Sequence, residues 1–533
     1  MSALSSPQPP AVAQNAVAGG HLEMAADLAS GSLLARSTIW NLIGYAAPLL
    51  VAVVVIPYLI RRLGTAEYGV LTIAWGIVGY FGVFDMGLSN AVTKFVAERI
   101  GRDAPGEIND IFHTGLALLL GSSVCGALLL VLLARPLAYS WLSVPPDLRG
   151  QTCTVFRLFA LALPFVVSVA CFRGTLGAYQ RFDVINKIQI AVGSVSFAGP
   201  ALVALFSRNL IPIVAFLVAS RAVTWLIYLY CCFQVMPALS TRFRPRRKMI
   251  RPLVTFGGWI SICNLLDPIF LCSDRFMLGA VVSMNAVAYY ATPFDMVVRL
   301  WLIPDALNTA LFPAYASSMK RDGRRATELL EKAGHYLFPL IFAPVLLVIL
   351  FARQILTLWI SASFAAHSAI VLQWLAVGVL LSSLARVPWT VLVAHRPDLP
   401  AKLVLFEAPV YLALLYGFIR LYGLEGAAMA WTGRCAFNCA VLHAMTWRAL
   451  TDSYRAIKKN GAMLAIGLLT LAGTVMLPGA IGARALYLAL ALAVAVGITW
   501  FGVMSAEERR ELVPASHFSR GLRARPAQPR TVN

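Results

Sequence analysis

The sequence predicts an all-α polytopic membrane protein, and three observations carry that prediction. Of its 533 residues, 59% are hydrophobic and 13% charged, with a mean hydropathy of +0.75, more apolar side chain than a soluble core with polar loops can use. Apolar runs long enough to cross a bilayer as helix recur along almost the whole chain. The basic residues between those runs alternate between rich and poor loops, as the two faces of a membrane require.

The runs give about fourteen spans, near 37–60, 68–90, 114–134, 153–172, 186–206, 211–236, 252–272, 285–312, 334–352, 367–393, 400–419, 424–447, 461–479 and 482–504. Residues 1–33, rich in Ala, Ser and Pro and lacking the basic and apolar segments of a signal peptide, read as a disordered cytoplasmic tail. An N-terminal six-helix lobe is expected over 34–236, a basic cytoplasmic linker over 237–251, a C-terminal six-helix lobe over 252–450, an extra helix pair over 451–504 and a basic cytoplasmic tail over 505–533. With the N-terminal tail inside, thirty of the forty-four Lys and Arg fall on the cytoplasmic side and nine on the other. That bias puts both termini in the cytoplasm. It also accounts for the net charge of +20 through topology and anionic lipid headgroups, so no nucleic acid is implied.

The stretch from Asn41 to Lys94 reads as a helical hairpin: two apolar runs joined by a turn containing Arg61, Arg62 and Gly64, and closed by Asp85, Ser89 and Thr93. The last three recur every four residues, so they form one polar stripe that faces water or a partner helix. Val92, Phe95, Val96 and Ile100 share a face that suits a helix lying on the inner surface, or a plain continuation of the span. A weak echo follows the basic linker. Asp274-Arg275-Phe276-Met277-Leu278-Gly279 with Tyr289 and Tyr290 parallels Arg61-Arg62-Leu63-Gly64 with Tyr68, and Asp295 sits in its span much as Asp85 does. Two lobes related by an axis along the membrane normal are a recurrent transporter plan, with the substrate path between them. The last two spans are nearly free of polar side chains and read as a peripheral addition.

Charges within spans are the candidate functional residues, because a charge at the bilayer centre costs about 2.5–3.5 kcal/mol on insertion scales and so avoids lipid. Arg221, Arg299, Arg386, Arg434, Asp85, Asp295 and Glu407 meet this criterion, with Arg157 and Asp267 nearer span ends. The arginines point to a cationic cavity. Asp295 lies four residues before Arg299, so a simple helical ion pair is the competing account there. Trp431 and Asn438 flank Arg434 at helical spacing, a mix of flat apolar and hydrogen-bonding surface that suits a sugar chain or, equally, helix packing. Asp85 with Ser89, Asp295 and Glu407 are the candidates for ion coupling. Pro48, Pro57, Pro268, Pro293 and Pro304 bend the first, seventh and eighth spans. The nine cysteines sit in or at the ends of apolar runs without zinc-type histidine partners, so neither metal nor cofactor is expected.

Asn41, Gly44, Pro57, Arg62-Leu63-Gly64 with Tyr68-Gly69, Asp85-Met86-Gly87-Leu88, Arg173-Gly174 through Gly177 to Gln180-Arg181-Phe182-Asp183, and Asp274-Arg275 with Leu278-Gly279 together resemble the polysaccharide transporter (Wzx-type) flippases of the multidrug/oligosaccharidyl-lipid/polysaccharide exporter superfamily. The matches cover the first eight spans. The resemblance implies a fourteen-helix, two-lobed fold in a bacterial inner membrane that flips an undecaprenyl-pyrophosphate-linked oligosaccharide outward by alternating access, for O-antigen or exopolysaccharide biosynthesis. It also implies a polysaccharide polymerase and export machinery as partners, besides membrane lipids. In-span arginines suit a pyrophosphate because guanidinium matches phosphate oxygens bidentately. Two alternatives share the fold: a multidrug or cation antiporter, whose cavity would favour acidic linings, and a lipid II flippase. An enzyme would need a larger surface domain than these loops allow, and no Gly-x-x-x-x-Gly-Lys-Ser/Thr loop for ATP is present.

The charge bias makes a direct prediction. A reporter active only in the periplasm will be on when fused after Ser143 or Ser361 and off after Arg247 or Asn460. A periplasmic Arg247 fusion overturns the span count.

Overall fold

The computed structural model describes residues 50–80, 85, 87–100, 105–179, 181–236, 245–307, 323–396, 398–449, 454–474 and 480–503. Both expected tails, and 237–244 of the expected linker, lie outside the described residues. Every regular element among the described residues is helical, and eight of the helices are long and apolar enough to cross a membrane. The chain is a multi-pass membrane protein. It divides into two compact units between Pro268 and Ile269.

In the first unit, α1 covers 50–63 and is followed after Gly64 by α2, Thr65–Tyr80. Gly64 has φ of 110°, a backbone conformation that costs an L side chain strain but glycine little. The predicted second span does not run through unbroken. The chain re-initiates at Gly87, φ 62°, and α3 occupies Leu88–Ile100. Leu88, Ala91, Val92 and Val96 of α3 are buried, so Val92 and Val96 pack inward within the protein, while Ile100 is exposed. Then come α4 (Pro105–Pro136), α5 (Arg149–Ala178), α6 (Phe182–Phe206) and α7 (Leu210–Val235). Arg62, near the end of α1, donates from Nε to the Ala204 carbonyl at 3.1 Å and from Nη2 to the Leu205 carbonyl at 3.3 Å. These are terminal carbonyls of α6, which lack intrahelical donors and carry the negative end of the helix dipole.

Helix α8, Arg247–Val281, contains the boundary between the units. The second unit continues with α9 (Met284–Val297), whose N-cap Ser283 accepts from Ala286 N at 3.1 Å, and a 3₁₀ turn over Val298–Trp301. Next are α10 (Gly323–Trp359), α11 (Ala362–His395) and α12 (Asp398–Ala449). Helix α12 reverses at Gly423, φ 59°, into arms 398–422 and 424–449. Close approach of the arms at the reversal requires Gly426, where a Cβ would fall 2.0 Å from the Phe418 carbonyl oxygen.

The last pair, α13 (Tyr454–Gly473) and α14 (Ile481–Gly497), is more than an apolar appendage. It grips α10 at two levels. Lys459 Nζ reaches Glu331 Oε1 at 2.6 Å, and Arg484 Nη1 donates to the Leu350 carbonyl at 3.0 Å and to Gln354 Oε1 at 3.3 Å. Leu350 precedes Phe351, where α10 departs from helical geometry (φ −110°, ψ 17°), so Arg484 satisfies a carbonyl beside the kink. Arg484→Ala is expected to lower stability by about 1–3 kcal/mol, the penalty of a buried acceptor left unpaired, and Lys459→Ala, at a half-exposed pair, by about 0–1 kcal/mol. Thermal midpoints in one detergent will rank them, and equal midpoints for the two variants would refute the Arg484 role.

Candidate functional site: a buried charge and aromatic cluster in the second unit

Four helical segments of the second unit bring charged side chains to one place. The end of α8 supplies Asp274 and Arg275, α9 supplies Tyr290 and Asp295, one arm of α12 supplies Glu407 and Tyr411, and the other supplies Arg434 and Asn438. Local periodicity explains the pairing within α12. Glu407 and Tyr411 are four apart, as are Arg434 and Asn438, so each duo lies on one helix face. The reversal at Gly423 then sets the two faces against each other.

Asp274 is fully buried and accepts hydrogen bonds from the hydroxyls of Tyr290, on Oδ2, and Tyr411, on Oδ1. Arg275 is 7% exposed, and its Nη2 donates to Asp295 Oδ1 while its guanidinium lies 5.8 Å from the Phe294 ring centroid. Glu407 is buried and accepts from Asn438 Nδ2 on both carboxylate oxygens, at 2.9 and 3.0 Å. Arg434 Nη1 stands 3.8 Å from Glu407 Oε2, a looser pairing than a bidentate fork, and its guanidinium is 4.4 Å from the Phe270 ring and 5.4 Å from that of Tyr411. Its Nε is buried with no hydrogen-bond partner. The cation is therefore held by two aromatic faces and one carboxylate. An array of this kind fixes charge in a dry interior, which makes it sensitive to any change in protonation or in neighbouring charge.

A second group lies on the same unit. Arg386 pairs with Asp305 and stacks 4.6 Å from the Trp301 ring, and Trp301 Nε1 donates to Ser382 Oγ at 2.9 Å. Trp431 links it to the first: its ring is 6.4 Å from Trp301 and 5.2 Å, at 77°, from Phe294. A cavity of about 310 Å³ opens beside Phe338, Leu384, Pro388, His443, Asn460 and Leu464. It is apolar, and no residue of the charge cluster lines it.

Several sequence expectations change here. Asp295 pairs with Arg275 across helices, and the expected Asp295–Arg299 pair does not form. The 3₁₀ turn begins at Val298, and its three-residue repeat carries Arg299 off the stripe that four-residue spacing assumes. Arg299 is exposed and makes no ion pair among the described residues. Trp431 is fully buried; its indole fills the space over Gly378, where a Cβ would be 2.3 Å from Cζ3. Its faces are covered in this conformation, and Asn438 is engaged by Glu407. In the first unit, Arg221 Nη2 donates to Ser196 Oγ at 3.1 Å. Asp85 caps α3 by accepting from Ser89 N at 3.0 Å, Ser89 Oγ donates to the Ala170 carbonyl at 2.9 Å, and Thr93 Oγ1 to the Ser89 carbonyl at 2.9 Å. The stripe packs on α5 at Gly174, where a Cβ would fall 2.7 Å from the Ser89 carbonyl oxygen. Of its two sequence readings, the partner helix is the one realised.

Asp274, Arg275, Tyr290 and Tyr411 escaped the criterion of charge inside a span. The hydropathic run ends near 272, but α8 continues to Val281 and carries the Asp-Arg pair with it. The echo of the Arg61-Arg62 turn was the signal that could have promoted Asp274, Arg275 and Tyr290; Tyr411 had none.

Removing one member of a buried ion pair typically costs about 3–5 kcal/mol, and removing both costs less. Arg434→Gln is therefore expected to destabilise strongly, Glu407→Gln measurably, and the double variant by less than the sum, leaving a coupling of about 0.5–3 kcal/mol. Additive losses would mean that the two groups do not interact.

Comparison with known proteins agrees with this architecture. Residues 34–319 match the family described as polysaccharide biosynthesis protein. A Shigella flexneri protein that bears the name of an O-antigen transporter is 29% identical over 410 residues, covering 76% of this chain and 96% of that protein. An inward-facing multidrug resistance MATE family transporter superposes with a TM-score of 0.66 at 14% identity, covering 78% of this chain and 99% of the other. The lipid II flippase MurJ in an inward closed conformation gives 0.62 at 11% identity, covering 87% and 99%. At such identities the two structures speak for the fold alone. The family match spans more than half of the chain, and the protein belongs to the polysaccharide biosynthesis protein family.

Proposed function

We propose that this protein translocates undecaprenyl-pyrophosphate-linked oligosaccharide units across the bacterial inner membrane, for O-antigen or exopolysaccharide biosynthesis, by alternating access of two lobes. The observation that carries the reading is the likeness to an O-antigen transporter along nearly the whole of that relative, in a chain of the same family. It acts as a transporter and not as an enzyme, with about fourteen spans and both termini in the cytoplasm.

Arginines within the predicted spans, among them Arg221, Arg299, Arg386 and Arg434, support an anionic substrate, because guanidinium is the side chain best matched to pyrophosphate oxygens. Arg299 is exposed, and Arg386 keeps 30% of its side chain accessible, so these two are the better placed to meet substrate. Arg221 and Arg434 are more enclosed and support the path from behind. Trp431 and Asn438 shape its wall indirectly. Asp85 with Ser89, and Asp295 with Glu407, remain the proposed coupling groups of the two lobes. A multidrug antiporter and a lipid II flippase share the fold but differ in cargo, so the cargo decides between them.

Deletion of the gene will cause one lipid-linked oligosaccharide to accumulate on the cytoplasmic leaflet, and its structure names the substrate. Arg221→Gln and Arg386→Gln are expected to reach the membrane yet lose polymer export by about tenfold or more, a transition-state effect of ~1.4 kcal/mol or more. Arg510→Gln in the tail will be silent. Normal export by both span variants, at matched protein level, would remove the cationic path from the reading. Accumulation of lipid II instead would transfer the protein to the peptidoglycan precursor.

A further inference from the structure

Asp274 is the one carboxylate of the buried cluster that has no guanidinium of its own. Arg275 is engaged with Asp295, and Arg434 stands beside Glu407. That leaves Asp274, with no exposed surface, held by two neutral hydroxyls, those of Tyr290 and Tyr411, which are themselves fully buried or 1% exposed. Counted over the cluster, three carboxylates meet two guanidinium groups. A lone carboxylate removed from water costs several kcal/mol, and either taking up one positive charge or opening to water relieves that cost.

We propose that Asp274 is a proton-exchanging carboxyl, and that the hydroxyls of Tyr290 and Tyr411 convert its protonation state into a change of helix contacts. The titratable and charged groups around it are Cys272 and Arg275 on its own helix, Tyr290 and Asp295 on α9, and Glu407, Tyr411, Arg434 and Cys435 on the two arms of α12. The step is a proton transfer with no other bond made or broken. A proton delivered by water adds to one carboxylate oxygen and yields a neutral acid. The new acid O–H must donate, so the tyrosine hydroxyl at that oxygen turns from donor to acceptor and, with its O–H bond intact, rotates its hydrogen toward a different acceptor. Tyr290 lies on α9 and Tyr411 on α12, so the protonation of one group on α8 alters the bond that ties α8 to one or the other. Sodium fits less well. Both carboxylate oxygens already receive O–H hydrogens, whereas a cation needs lone pairs directed at it. The use of this exchange to drive transport rests on the flippase reading above, but the exchange itself does not.

Infrared spectroscopy of the purified full-length protein tests the proposal without substrate. Between about pH 8 and about pH 5, the range in which only perturbed carboxyls and histidines change charge, the carbonyl band of a neutral carboxylic acid is expected to grow in wild type and to be lost in Asp274→Asn. Tyr290→Phe and Tyr411→Phe each remove one hydrogen bond and are expected to shift that band. They carry the test if Asp274→Asn fails to fold. A titrating band that persists in folded Asp274→Asn, or that does not move in either tyrosine variant, overturns the proposal. So does suppression of the titration by sodium chloride but not by choline chloride, which would identify a metal-cation site instead. A failure of the flippase reading would appear in the lipid-linked intermediates of the deletion strain and would leave the infrared result unchanged.

Discussion

A charge that sits at membrane depth must find its partner inside the protein, and much of the internal design of this chain follows from that constraint. Hydrocarbon offers neither water nor counterions, so each buried charged group here meets another charge, a ring face or a hydroxyl. The second unit solves the problem by convergence. Asp274 and Arg275 arrive from α8, Asp295 from α9, and Glu407 and Arg434 from the two arms of α12. Rings fill the gaps, with Phe270 and Tyr411 against Arg434 and Phe294 against Arg275. Helix geometry is subordinate to this cluster. The reversal at Gly423 and the close approach at Gly426 bring Glu407 level with Asn438, thirty-one residues later.

The same constraint explains what the sequence could disclose. Hydropathy is a property of each segment alone, so the helical class and the in-span charges were legible. Periodicity reports neighbours within one helix, so it joined Asp85, Ser89 and Thr93 into a stripe. It could not report which helix lies opposite. Arg275 as the partner of Asp295, Asp305 as that of Arg386, and Ser196 as that of Arg221 are all choices made between helices. Periodicity misled where the helix itself changed, at the 3₁₀ turn after Val297. Trp431 shows the same limit in another way: an indole serves as a packing body or as a sugar platform, and its contact over Gly378 on a separate helix is one that its own segment does not disclose.

The two units do not solve the problem alike. Sequence position makes Asp85 and Asp295 look equivalent, yet Asp85 caps the start of α3 and receives a backbone N–H, whereas Asp295 holds a guanidinium. A capping carboxylate stabilises the helix that it begins and gains from the positive end of the dipole. One that holds an arginine gains from a partner which can be withdrawn. On this ground the second unit has the richer electrostatics, and a charge change there disturbs more contacts.

Arg62 and Arg484 complete the picture, because both fall where the charge bias of the sequence predicts few basic residues. The bias concerns which loops carry charge during insertion; it does not forbid a cation whose donors are needed by the fold. Arg62 serves the terminal carbonyls of α6, and Arg484 the carbonyl beside the kink in α10. Lysine would supply a charge at either place, but its single ammonium lacks the spread fork with which Arg62 reaches two successive carbonyls from Nε and Nη2. Exceptions to a topological expectation are thus informative in themselves: where an arginine falls in a stretch expected to be poor in basic residues, a helix carbonyl at an end or beside a kink is the first partner to look for.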